Sequence, residues 1–188
     1  MLFRSKAVVE RKNKVVKTLV SGVTALMKAN KVTVVSGEGV ITGKNSVKVG
    51  DTTYEGQKIL ICTGSEPVIP PIKGIKEGIG SGLVLTNREI LDLQEIPKSL
   101  VIIGGGVIGL EMASYFNSVG SKVTVIEMLP SIAGPTDKEI SSILLKNYID
   151  KGVEFKLNSK VVEVTADSVV YEADGKTQSV PADKVLLS

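Results

Sequence analysis

The chain has 188 residues, 43% of them hydrophobic, and a formal net charge of +3, so it can bury a sizeable core as one domain or as two small ones. It contains no histidine and a single cysteine, Cys62. This composition excludes an intrachain disulfide and a histidine-assisted nucleophile, and it leaves a zinc ion only carboxylate ligands, so we expect neither a catalytic residue nor a metal site here.

The N-terminal region is basic, but its pattern is not that of a nucleic-acid or membrane-binding segment. In "RSKAVVERKNKVVK", valines recur at helical spacing between the charges, which favours a solvated helix face over a nucleic-acid patch. Aromatic residues make up only 4% of the chain, which argues against surfaces that stack on bases. Because there is no apolar run of membrane-spanning length and no signal-peptide pattern, we expect a cytoplasmic protein.

Residues 1–68 are predicted to form a helix followed by a β-meander. Residues 2–29 lack proline and place apolar side chains at helical spacing, which predicts one long amphipathic helix that ends near Asn30. Short β-rich segments follow, separated by turn residues: "KVTVV", "EGVIT", "SVKV", "TTYEG" and "KILICTG". Cys62 lies in the last of them, where we expect a packed core thiol rather than a reactive one. Residues 69–85 are rich in proline and glycine, which predicts a linker and a domain boundary.

Residues 86–188 are predicted to form a second domain in which strands and helices alternate. After a short helix-like piece, "TNREILDLQ", come the strand "SLVII", the helix "GVIGLEMASYFNSVG", the strand "SKVTVIE", the helix "TDKEISSILLKNYIDKG" and the strand "VEFKL". A capping box of Thr136 and Glu139 would open the second helix, and Gly152 would end it. This βαβαβ order is typical of half of a Rossmann-like α/β domain with a parallel sheet. The segments "KVVEVTAD", "SVVYEAD" and "QSVPADKVLLS" predict a β-ribbon and a last strand.

The stretch "SLVIIGGGVIGLE" places a glycine motif, Gly104-x-Gly106-x-x-Gly109, at a strand-to-helix turn. In a dinucleotide-binding unit the first glycine permits the tight turn, the second lets the backbone approach a pyrophosphate, and the third lets helix and strand pack closely. The helix that begins near Val107 would point its free N–H groups at the phosphates. The alternative is a tight glycine turn in an α/β domain that binds no dinucleotide.

An acidic residue supports the dinucleotide interpretation. Glu127 ends the second strand of the unit, about 20 residues after the loop, where a carboxylate accepts hydrogen bonds from the ribose hydroxyls of NAD. No arginine or lysine follows it in "EMLPSIAGP", so a 2′-phosphate would meet a carboxylate without a counter-charge. The sequence therefore predicts NAD rather than NADP.

Together, "ILICTGSEPVIPP" and "IPKSLVIIGGGVIGLEMASYFNSVGSKVTVIEMLPSI" resemble the flavoprotein disulfide reductases, and the resemblance covers essentially the whole chain. It implies an NAD-binding domain at residues 86–188 and a partial FAD-binding domain at residues 1–68, with NAD and FAD as cofactors. The members to which the chain is most similar oxidise dihydrolipoyl groups of 2-oxo acid dehydrogenase or glycine cleavage complexes, and they act as homodimers.

The resemblance also implies site residues by their position in the family's motifs. Gly39 would lie near the adenine of FAD. Thr63, Gly64 and Ser65 would lie close to FAD, in the segment where the FAD-binding domain is joined to the NAD-binding domain. Ile108 and Glu111 would lie near the contact between nicotinamide and flavin. The residues implied to bind NAD are Gly104, Gly105, Gly106, Val107, Ile108, Gly109, Leu110, Glu111, Glu127 and Val161. Without the resemblance, Gly39 and Gly64 could be turn glycines, Val161 a core valine, and Glu111 an exposed residue favoured by the helix dipole.

The chain lacks the residues with which the family carries out its redox chemistry. The redox-active cysteine pair and the His–Glu dyad are absent from it. We therefore expect the chain to be the central part of a longer enzyme, inactive by itself and unable to hold flavin. Two alternatives stay open, an NAD(P)H-dependent reductase of another disulfide, a peroxide or a metal ion, and an NAD-binding module without catalysis.

Overall fold

The computed structural model describes residues 5–188. The chain divides into two compact units, one made of residues 5–9 and Pro67–Ser188 and the other of Glu10–Glu66. None of the helices within residues 5–188 combines the length and the apolar character needed to span a membrane.

The unit of Glu10–Glu66 contains most of a long helix and a small antiparallel sheet. Helix α1 (Ser5–Ala29) agrees with the predicted amphipathic helix, of which residues 2–4 lie outside the described residues. Strands β1 (Gly39–Gly43), β2 (Ser46–Val49) and β3 (Thr52–Glu55) pair in the order β1-β2-β3, so this part of the predicted meander is confirmed.

Two predicted strands of this region are wrong. The segments "KVTVV" and "KILICTG" are irregular, because no strand among the described residues provides them with ladder hydrogen bonds. In the second segment Leu60 is 86% exposed and Ile61 65% exposed. Cys62 is exposed as well, so the prediction of a packed core thiol is also wrong.

Residues 69–85, predicted to be a linker, contain regular structure. Helix α2 (Ile75–Ser81) is followed by strand β4 (Val84–Leu85). Gly74 and Gly82 flank the helix in the left-handed conformation, with φ of 81° and 74°. The glycines that indicated an irregular segment are thus helix ends, for which a residue without Cβ is favoured.

The rest of the larger unit follows the predicted alternation. Its elements are β5 (Ser99–Ile103), α3 (Val107–Ser118), β6 (Lys122–Ile126), α4 (Lys138–Asp150), β7 (Glu154–Lys156), β8 (Lys160–Val164), β9 (Ser168–Ala173), β10 (Lys176–Pro181) and β11 (Lys184–Leu187). The helix-like piece "TNREILDLQ" is a 3₁₀ turn over Glu89–Asp92.

A five-stranded parallel sheet has the order β4-β11-β5-β6-β7. Its strands are apolar on both faces, and Leu100, Ile102, Val123 and Val125 are completely buried, as in a sheet covered on both sides. Strands β8, β9 and β10 form the predicted ribbon as a separate antiparallel sheet. The α/β class with a parallel sheet, a ribbon and a meander is therefore confirmed.

The start of α4 differs from the predicted capping box. The N-cap is Asp137, whose Oδ1 accepts hydrogen bonds from the backbone N–H groups of Glu139 at 2.9 Å and Ile140 at 3.4 Å. Thr136 instead donates its hydroxyl to the carbonyl of Ala133. Two adjacent residues can cap a helix, and here the carboxylate one position later does so.

Candidate functional site

The glycine loop joins the end of β5 to the beginning of α3. Gly104 has a φ of 108°, which L side chains rarely adopt, and a Cβ on it would collide with the carbonyl oxygen of Ser188. A Cβ on Gly109 would lie 2.7 Å from the carbonyl oxygen of Gly104 and 2.7 Å from Oγ of Ser188. The protein's own packing thus requires glycine at these two positions.

Gly106 differs from its neighbours, because nothing in the protein requires it to be glycine. Its φ of −73° suits any residue, and no atom lies within 4 Å of the place where its Cβ would be. It is the N-cap of α3, and no side chain caps that helix end. The first N–H groups of a helix have no partner within the helix, so this open main chain fits an anionic group that approaches closely.

Glu127 follows β6, and its side chain is hydrogen-bonded to the glycine loop. Its Oε2 accepts a hydrogen bond of 2.6 Å from the backbone N–H of Gly105, and its Oε1 accepts one of 2.7 Å from that of Leu129. Each carboxylate oxygen can accept a further hydrogen bond. The side chain is therefore held in one position while it keeps acceptor capacity for hydroxyl groups.

A cleft of about 490 Å³ begins at this end of the parallel sheet. Three residues predicted to bind NAD line it: Gly104, Glu127 and Val161. The remaining lining residues are Pro70, Pro71, Ile72, Ile103, Ile126, Met128, Ser159, Lys160 and Ser188. Val161 is 7% exposed and also belongs to an apolar cluster, so it is at once a core valine and part of the cleft wall.

Sequence reasoning missed most of this cleft wall. Ser188 and Pro70–Ile72 come from segments far from the glycine motif in the chain, and Lys160 is the first residue of β8. The one available signal was the position of Lys160 beside Val161. Among the described residues, no group of three acidic or cysteine side chains lies close enough together to hold a metal ion.

The other predicted NAD residues lie on the first turns of α3 and differ in accessibility. Val107 is 64% exposed and Ile108 45% exposed, and Glu111 is exposed too. Burial, and to a lesser degree the charge of Glu111, raise the pKa of the Tyr148 hydroxyl above its usual range. Leu110 is turned away, since it is 4% exposed and its carbonyl accepts a hydrogen bond from Tyr148. Its side chain packs in the core with Ile132 and Ala133.

The four residues implied to contact FAD lie in the unit of Glu10–Glu66. Gly39 begins β1, and a Cβ on it would make an ordinary contact of 3.4 Å with Val47. Gly64 has a φ of 75°, so it is a turn glycine whatever else it does. Thr63 and Ser65 are exposed on either side of it.

Comparisons with known proteins agree with this architecture. The family model described as pyridine nucleotide-disulphide oxidoreductase matches residues 2–188. A dihydrolipoyl dehydrogenase of Acholeplasma laidlawii is 42% identical over 181 residues, which are 96% of this chain and 54% of that protein. One of Geobacillus stearothermophilus is 40% identical over 188 residues, which are 95% of this chain and 39% of that protein.

Solved structures with the same architecture include the HOCl-induced flavoprotein disulfide reductase RclA from Escherichia coli. It superposes with a TM-score of 0.83 at 28% identity, over 100% of this chain and 43% of that chain. Its Cu(II) complex superposes with a TM-score of 0.79 at 30% identity, over 96% of this chain and 41% of that chain. The chain spans about half, or less, of the length of the relatives it matches.

Proposed function

Because the chain belongs to the pyridine nucleotide-disulphide oxidoreductase family, we propose that it is the NAD-binding part of a dihydrolipoyl dehydrogenase, together with a portion of the FAD-binding domain. The observation that carries this proposal is the open main chain at Gly106. Its main chain opens a helix that no side chain caps, in free space, beside a carboxylate fixed by Gly105.

Groups in the cleft and at the adjoining start of α3 fit the adenosine half of NAD. The N–H groups at the start of α3 would bind the pyrophosphate, with the positive end of the helix dipole behind them. Glu127 would accept hydrogen bonds from the adenosine ribose hydroxyls. Val161 and Ile72, both lining the cleft, would offer apolar contact to the adenine ring.

The other half of the cofactor would lie along the exposed first turns of α3. Ile108 and Glu111 would contact it near the flavin, while Gly39 and the segment Thr63–Ser65 would lie against FAD. NAD and FAD, when bound, supply the hydride transfer itself. The residues of this chain would bind the two cofactors and hold them in position.

In the whole protein we propose the reaction of dihydrolipoamide with NAD⁺ to give lipoamide and NADH, through FAD and a redox-active dithiol. The names of the relatives from Acholeplasma laidlawii and Geobacillus stearothermophilus support this choice. Its partners would be lipoyl groups of 2-oxo acid dehydrogenase or glycine cleavage complexes, in the cytoplasm, with the enzyme a homodimer. Residues 1–188 alone should show no turnover and bind no flavin.

Calorimetric titration of the 188-residue chain with NAD⁺ tests the proposed site. Gly106→Ala should raise the Kd for NAD⁺ at least about tenfold, because the new methyl group would separate the main chain from the pyrophosphate. Gly80→Ala is the matched control, since Gly80 lies in α2 and also has no atom within 4 Å of its Cβ position. Equal Kd values for the two variants, or no NAD⁺ binding by the unmodified chain, would contradict the proposal.

A reductase of another disulfide, a peroxide or a metal ion is the second candidate, and the name of RclA, a flavoprotein disulfide reductase, supports it. Assays of the full-length protein separate the two candidates. A dihydrolipoyl dehydrogenase should reduce NAD⁺ with dihydrolipoamide as the donor. NADH oxidation driven by a different acceptor, without that activity, would support the second candidate, and no turnover with intact NAD⁺ binding would support a non-catalytic module.

A further inference from the structure

The turn between β7 and β8 is fastened to the segment that follows β6. The backbone N–H of Ser159 donates to the carbonyl of Glu127 at 2.9 Å, and that of Asn158 donates to the carbonyl of Leu129 at 3.1 Å. Asn158 has a φ of 50°, a left-handed conformation that asparagine tolerates better than most residues. These bonds fix the residue after Ser159 close to Glu127.

That residue is Lys160, the first of β8, and it brings a positive charge to the cleft. Its side chain is exposed and lines the same cleft as Glu127 and Met128. Among residues 5–188 it forms no ion pair. The segment directly after Glu127 contains no arginine or lysine as far as Pro135, so the cation for this end of the cleft comes from a different strand.

We propose that Lys160 is a specificity-determining residue for the ribose of the bound dinucleotide, and that it opposes Glu127. The ammonium group favours a nucleotide with a phosphate on the adenosine ribose, whereas the carboxylate repels that phosphate and favours the free hydroxyl. The preference for NAD over NADP is then the balance of two opposite charges. This inference rests on the proposed function, since it presumes that the cleft holds the adenosine half.

If the two charges oppose each other, removing the carboxylate of Glu127 should reveal the effect of Lys160 on the affinity for NADP⁺. Glu127→Gln keeps the size of the side chain and removes its charge, and its one amide oxygen can replace one of the two acceptors that now bind Gly105 and Leu129. NADP⁺ should therefore bind about tenfold more tightly, while NAD⁺ loses about threefold in affinity. In that background Lys160→Met should cost NADP⁺ about tenfold and NAD⁺ less than about twofold, because only NADP⁺ carries the extra phosphate. Lys160→Arg should preserve the affinity for NADP⁺, as a conservative replacement of the charge.

Calorimetric titrations with NAD⁺ and NADP⁺ at low and high NaCl measure these effects on the 188-residue chain. The affinity of the Glu127→Gln variant for NADP⁺ should fall more steeply with salt than that of the double variant with Lys160→Met. The matched control is Lys176→Gln in the Glu127→Gln background. Lys176 begins β10 and is exposed, and it is not among the residues that line the cleft.

Each outcome decides the inference. An equal loss of NAD⁺ and NADP⁺ affinity on Lys160→Met, or the same loss on Lys176→Gln, contradicts a specific role for Lys160 while NAD⁺ binding still supports the proposed function. Failure of the unmodified chain to bind either nucleotide contradicts the proposed function and this inference with it. Circular dichroism of each variant checks that the fold is intact, which the exposure of Lys160 makes the expected result.

Discussion

The two units of the chain treat their large apolar side chains differently. In the unit of Pro67–Ser188, Ile75, Ile102 and Ile132 are completely buried. In the unit of Glu10–Glu66, Leu19 is 64% exposed and Leu60 86% exposed. The first unit has a five-stranded sheet with helices that return along it, so its apolar residues find partners close by in the sequence. The second has three short strands and one long helix, which cannot cover their own apolar surface.

The largest expected effect comes from replacing one isoleucine by alanine in each of the two units. Ile102→Ala removes a side chain with 0% exposure from β5, whereas Ile61→Ala removes one that is 65% exposed. The first should lower the free energy of unfolding by about 3 kcal/mol, since it leaves a cavity, and the second by less than about 0.5 kcal/mol.

Hydrogen exchange measures this difference, with the backbone amides of β5 and β6 as probes for Ile102→Ala and those of β2 and β3 for Ile61→Ala, because it reports the free energy of opening of each sheet. Val123, which is buried in β6, provides a convenient second probe. If Ile61→Ala lowered the protection of the amides of β2 and β3 as much as Ile102→Ala lowers that of β5 and β6, the contrast between the two units would be wrong.

Alanine substitutions at two glycines test the same comparison, with an expected effect on stability of intermediate size. A Cβ on Gly109 would meet two oxygen atoms at 2.7 Å, whereas one on Gly22, in the middle of α1, would meet nothing within 4 Å. Gly109→Ala should therefore destabilise the unit of Pro67–Ser188 by about 2 kcal/mol. Gly22→Ala should instead stabilise α1 by roughly 0.5–1 kcal/mol, because alanine loses less backbone entropy in a helix.

Thermal unfolding followed by circular dichroism gives both signs in one experiment. The midpoint should fall for Gly109→Ala and remain the same or rise for Gly22→Ala. A fall of equal size in both variants would mean that α1 is packed against something at Gly22, and the account of an open helix face would fail.

The same contrast explains how far the sequence alone could predict the fold. The alternation of β5, α3, β6, α4 and β7 was predictable because each element shows its own periodicity and its partners follow directly in the chain. The strand assigned to "KILICTG" failed because an apolar, β-branched segment becomes a strand only where another strand offers hydrogen bonds. The sequence of a segment shows that it favours a strand, but not whether a partner strand lies beside it.

The candidate site shows the same limit. The glycine loop and Glu127 belong to one short motif, so their proximity could be predicted from spacing. Lys160 and Ser188 reach the cleft from distant parts of the chain. Ser188 follows β11, which the sheet order places beside β5, and Lys160 begins β8 in the antiparallel sheet, next to residues hydrogen-bonded to the segment after β6. The distinction between Gly104, which the protein's own packing requires, and Gly106, which it does not, depends on distances that no sequence pattern contains.

The smallest expected effect concerns a carboxylate at the margin of the well-packed unit. Glu89 accepts hydrogen bonds from the hydroxyl of Thr86 at 2.5 Å and from its backbone N–H at 2.8 Å. These bonds, the hydroxyl first, hold the pKa of Glu89 below its ordinary value of about 4.5. Because the folded pKa is depressed, its contribution to stability is present above the ordinary pKa and is lost as the pH falls through the folded pKa.

Glu89→Gln should therefore reduce the free energy of unfolding at pH 7 by no more than about 0.5 kcal/mol, since the carboxylate is exposed to solvent. The difference from the unmodified chain should shrink as the pH falls below about 4 and vanish once Glu89 is protonated in the folded state. Urea unfolding at pH 7 and pH 3 measures it, with Glu95→Gln as the control for the loss of one exposed carboxylate. A difference that persisted unchanged at pH 3 would show that the interaction with Thr86 does not depend on the charge of Glu89.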